Sequence, residues 1–82
     1  MSHTPHTLAE EFPGQMDAVH ALKVSNHHFA RLLEQYDEVN DKIHRAETRI
    51  EPVSEDVEHM LRRQRLSVKD QIALMLSQAA KG

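Results

Sequence analysis

Cysteine is absent from this 82-residue chain, which removes disulfides and thiolate metal clusters from the means that could hold it together. Tryptophan is absent too, and there are only two Gly, three Pro, two Phe and one Tyr. So few turn formers and large β-formers argue against a sheet domain. No run of about 20 apolar residues exists to cross a membrane. The opening MSHTPHTLAEEF lacks the basic and apolar regions of a signal peptide, so a soluble, cytoplasmic protein is expected. A formal charge of -3 gives no global attraction to nucleic acid or anionic lipid. There is no Gly-rich phosphate loop and no His-Glu-x-x-His, and Glu34, Asp37, Glu38 and Asp41 have the spacing of a solvated helix face. No enzyme, cofactor or small-molecule substrate is therefore expected.

What the chain does have is charge, at 28%, interleaved with 39% hydrophobic residues, the balance of a helical or coiled-coil protein. A chain this short buries a small fraction of its surface, and without disulfides or metal its remaining supports are well-packed helices and oligomerisation. The first dozen residues are polar and aperiodic, which reads as a mobile arm over 1–12 followed by one helical-hairpin domain over 13–82. Within the arm, Thr7-Leu8-Ala9-Glu10 has the form of a capping box, enough for one helical turn. Pro13 suits the first position of a new helix, and Met16, Val19 and Leu22 follow at helical spacing. Ser25 and Asn26 are back-to-back cap residues and predict a break or bend.

From Phe29 the apolar positions run Phe29, Leu32, Tyr36, Val39, Ile43, Ala46 and Ile50, in steps of three and four throughout. Pro52 interrupts this pattern. Ser54, with Glu55 and Asp56 behind it, then caps a third helix and places carboxylates where the macrodipole favours them. That helix runs to about Ala80, and Gly82 ends it. The expected fold is all-α: an antiparallel two-helix hairpin over 27–50 and 55–79, coiled-coil-like, with a short N-terminal helix. One antiparallel register faces Ile43 with Leu61, Tyr36 with Val68, Leu32 with Ile72 and Phe29 with Met75. It also sets Val39 against Arg65 and Ala46 against Glu58. Arg65 is expected to lay its stem on Val39 and bring its head to Tyr36 or Asn40.

The stretch Asp70-Gln71-Ile72-Ala73-Leu74-Met75-Leu76-Ser77 holds more apolar residues than the seam can use. Ile72 and Met75 belong to the seam, while Ala73, Leu74 and Leu76, with Leu66 and Met60, point elsewhere. Two solutions remain open: the first helix folds back over the open end of the hairpin, or the surface meets another subunit. The expectation is a homo-oligomer held by Leu66, Leu74 and Leu76, in a protein that also binds a protein partner.

Seven histidines raise the question of metal. His27 and His28 are adjacent and diverge on a helix, and neither has a partner three or four residues away. His20 is separated from His27 by the break, and His44 and His59 project beside the seam. Met1-Ser2-His3 would suit square-planar copper or nickel, but removal of Met1 before a small Ser2 would destroy that spacing. No metal site is expected. Nucleic acid is the better rival, because Arg62, Arg63 and Lys69 form a local basic patch. Against it, residues 27–51 carry six acidic to four basic side chains and residues 54–81 four to five, and no aromatic interleaves the arginines. A salt-bridged, solvated face is the favoured account.

The pattern Phe12-Pro13, Leu22-Lys23, His28-Phe29, Tyr36, Ile43 and Glu47, then Arg65-Leu66 and Lys69-Asp70-Gln71-Ile72, resembles the YdcH-like family of small bacterial proteins. The most specific pieces are Phe-Ala-Arg-Leu-Leu-Glu-Gln-Tyr at 29–36 and Arg-Leu-x-x-Lys-Asp at 65–70, with Gln71 where the family commonly has Glu. The resemblance runs from about Phe12 to Leu76. It implies a helical hairpin and no activity.

Overall fold

Asn26 divides what would otherwise be one continuous helix. Its backbone is extended (φ -133°, ψ 109°), its N–H donates to the Leu22 carbonyl at 2.8 Å, and its side-chain oxygen accepts from the Phe29 N–H at 3.0 Å. One residue thus closes the helix before it and caps the helix after it, the break foreseen at Ser25 and Asn26. The computed structural model describes residues 5–48 and 53–81. Four helices lie within them: α1 (Leu8–Glu11), α2 (Met16–Ser25), α3 (His27–Glu47) and α4 (Glu55–Lys81). Among the described residues there is no strand, and the fold is all-α.

α3 and α4 form the hairpin, and the apolar repeat of α3 is its seam. Phe29, Tyr36 and Ile72 are fully buried, with Leu32, Val39, Ile43 and Val68 nearly so. The Arg65 guanidinium donates to the Asn40 side-chain oxygen at 3.0 Å, next to the expected Val39–Arg65 layer. That contact fits both the register and the snorkelling role read for Arg65. At the start of α4 the Ser54 hydroxyl accepts from the Val57 N–H at 3.3 Å, with Glu55, Asp56 and Glu58 in the first turn. Ile50, the break at Pro52, Met1-Ser2-His3 and Gly82 lie outside the described residues.

The N-terminal quarter differs from expectation in two ways. Pro13 does not begin a helix. The Gln15 N–H donates to the Phe12 carbonyl at 3.2 Å and Gly14 takes φ 77°, so Phe12-Pro13-Gly14-Gln15 is a type II turn with Pro and Gly in their favoured places, and α2 starts at Met16. Of the arm expected at 1–12, residues 5–12 lie against the hairpin. Phe12 is buried, Tyr36 Oη donates to the His6 carbonyl at 2.6 Å, and Asn40 Nδ2 donates to the Pro5 carbonyl at 3.0 Å. The docking groups are backbone carbonyls, which a polar composition does not reveal.

α2 answers the question posed by the open end of the hairpin. It packs on both α3 and α4, and its fully buried Val19 joins the cluster that contains Leu33 and Leu76. Leu76, expected on an intersubunit surface, is only 6% exposed and is corrected to the core. It sits one position past the seam residue Met75, on the flank of α4 that α2 covers. The fold-back solution is the observed one for this part of the surface.

Candidate functional site

α4 has two faces of unlike fate. Val68, Ile72 and Leu76 are buried against α3 and α2, whereas Met60 is 67% exposed, Leu66 57% and Leu74 59%. On a helix with 100° per residue, Leu66 and Leu74 straddle the line opposite the seam, and Met60 lies at its edge. Val24 of α2 is also exposed, alone among solvated neighbours. By contrast the outward residues of α3, among them Arg31, Glu34, Gln35, Glu38, Asp41 and Arg45, are polar and exposed. The apolar surplus is therefore on α4. Of the three leucines expected to form an interface, Leu66 and Leu74 are on this surface and Leu76 is not.

The three basic residues expected as a patch are not brought together as one. Arg62 Nη2 lies 2.9 Å from Glu47 Oε2 and 3.5 Å from Glu58 Oε2, and the hydrogen bond to Glu47, with the charges of Glu47 and Glu58, holds its guanidinium above its ordinary basicity. Lys69 Nζ lies 3.2 Å from Glu11 Oε1, and His6 Nδ1 approaches the same carboxylate at 3.5 Å. Partial burial pushes the Glu11 carboxyl up, but Lys69 and His6 outweigh it and hold the group below its ordinary value. Arg63 alone of the three points outward on the exposed face, with Asp70 two turns further along. Among the described residues neither Arg63 nor Asp70 has an ion-pair partner. Glu11 was missed as the partner of Lys69 because the two are far apart in sequence, and no local spacing signals such a pair.

Two open grooves gather polar groups, one along α4 at Asp56, His59, Met60, Arg62, Arg63 and Leu66 and one between α3 and α4 at Gln35, Glu38, Lys42 and Gln64. No three His, Cys, Asp or Glu side chains among the described residues are grouped as for a metal ion. An open groove runs between Ala18, Ala21 and Ser25 of α2 and Leu76, Ala79 and Ala80 of α4. Its one polar side chain, Ser25, donates to the Ala21 and Leu22 carbonyls of its own helix, so no polar group converges on a ligand there. No helix among the described residues is long and apolar enough to cross a membrane.

The hairpin that carries this surface is also where the chain is similar to other proteins. A family described as "Protein of unknown function (DUF465)" matches residues 29–76, more than half of the chain and nearly all of the α3–α4 pair. The chain belongs to this family. The match begins at the buried Phe29 and ends at the buried Leu76, so the region shared with the DUF465 family is the seam and what α4 shows on its far side. Neither a curated protein nor a solved structure matches the chain.

Proposed function

We propose that this DUF465 member, which resembles the YdcH-like proteins, is a small non-enzymatic interaction module of the cytoplasm that self-associates through the outer face of α4. The observation that carries this reading is the exposure of Met60, Leu66 and Leu74 on one helix. Burying a leucine is worth about 1.5 to 3 kcal/mol, and a chain this short has few other reserves of stability. Association recovers that energy, and the same surface suits a helix of a protein partner. The alternative, a nucleic-acid accessory role for Arg62, Arg63 and Lys69, is weakened because Arg62 and Lys69 each face a carboxylate of their own chain.

Sedimentation equilibrium and thermal unfolding at several concentrations test the reading together. The expected result is an oligomer at tens of micromolar, with an unfolding midpoint that rises with concentration because assembly stabilises only the folded chain. Replacing both Leu66 and Leu74 by Gln should give a monomer of unchanged helix content. A wild-type monomer with a midpoint independent of concentration overturns the proposal. Salt-resistant binding of RNA that is lost on replacing Arg62 and Arg63 by Ala would move the function to the alternative.

A further inference from the structure

The outward face of α4 has an order of its own. His59, Arg63, Leu66, Asp70, Ala73 and Ser77 follow one another at steps of four and three, all exposed, on the side opposite the seam. This is a second heptad-like stripe on the same helix, flanked by Met60 and Leu74. Its two charges, Arg63 and Asp70, are seven residues apart and so share one line along the helix. Neither has an ion-pair partner among the described residues.

We infer that α4 pairs with α4 of a second copy in antiparallel fashion, about a two-fold axis between residues 66 and 67, with Arg63 of each copy on Asp70 of the other. The inference rests on the self-association proposed above and specifies its geometry. In a two-fold interface, if residue i meets residue j then j also meets i. A parallel, in-register pair would instead set Arg63 against Arg63 and Asp70 against Asp70, and like charges in contact disfavour that arrangement. The antiparallel register makes two opposite-charge pairs at once. It also brings the two Leu66 side chains together at the axis and sets Met60 beside Ala73 and Leu74 of the other copy. From Asp56 to Ser77 the paired face is about 32 Å long at 1.5 Å per residue, enough for three heptads. The outer face of α3 also carries opposite charges seven residues apart, Arg31 and Glu38, but it has no large exposed apolar side chain to bury beside them.

Charge exchange and one distance test the pairing. Arg63→Glu and Asp70→Arg, made singly, each create two like-charge contacts and should raise the dimer dissociation constant about tenfold or more, while the double exchange should restore most of the affinity. Because the chain has no native cysteine, Ser77→Cys takes a single spin label. Antiparallel pairing places Ser77 of one copy beside Asp56 of the other, so the two labels should be separated by about 33 Å, against about 10 Å for a parallel pair. A dimer with the short separation, or a double exchange no tighter than the single ones, overturns the pairing and leaves self-association standing. A wild-type monomer overturns both.

Discussion

Tyr36 shows what one buried hydroxyl does here. It is the only tyrosine, and with no tryptophan in the chain its absorbance reports on it alone. Burial pushes its pKa up to about 12, with the negative charge of Glu11 adding to the shift and Arg65 opposing it. In the unfolded chain a phenol ionises near about 10. As pH rises through that window the unfolded state sheds a proton that the folded state keeps, so the stabilisation is complete below about 10 and is lost towards about 12. Phenolate absorbance is expected to appear near the higher value in native buffer and near the lower in urea. Tyr36→Phe should remove this alkaline loss while costing about 1 kcal/mol at neutral pH for the missing hydrogen bond to His6. A native titration at the urea value would mean that the hydroxyl meets water. Glu11 has the opposite sign: its depressed pKa means that its contribution is present at neutral pH and lost as pH falls through the folded value. The position of Tyr36 in the core was legible from the three-and-four spacing. Its partner was not, because a backbone carbonyl carries no side-chain signature.

At the scale of the element, the difference between Leu74 and Leu76 is decided by which flank of α4 another helix reaches. Two positions apart, they differ by about 200° around the axis. Leu76 faces the side that α2 covers, and Leu74 faces solvent. Leu76→Gln should therefore lower the free energy of unfolding by about 2 to 4 kcal/mol, since it removes packing and buries an amide, with the loss read by urea unfolding at a fixed concentration. Unchanged stability in that variant would return Leu76 to the outer surface. The helices themselves were legible because caps and breakers are local: Asn26, Ser54 and the a/d repeat of α3 each announce themselves within a few residues. Pro13 misled because Pro is equally at home at the first position of a helix and in a type II turn, and the choice was made by Gly14 after it.

For the molecule as a whole, the sequence left open how the end of the hairpin is covered, because the direction of α2 depends on the backbone angles of one residue. Asn26 turns the chain back, and the core then draws on three helices instead of two. That joint has a kinetic consequence. α1 and α2 are joined to α3 by one extended residue and held to the hairpin by Phe12, Val19, the partly buried Leu8, Met16 and Leu22, and a few polar contacts, fewer than hold the α3–α4 seam, so they are expected to lift away together while that seam stays intact. Amide hydrogen exchange should then fall into two classes. Amides of α2 are expected to exchange through this partial opening, at a lower free energy than those around Tyr36, Val68 and Ile72, which need global unfolding. Asn26→Gly, which loosens the joint, should quicken exchange in α2 more than in the seam; equal protection throughout would mean that the chain opens only as a single unit. While α2 is lifted, Leu76 is laid bare as Leu74 already is, and α4 for that moment offers a leucine to a neighbour on each of its two flanks.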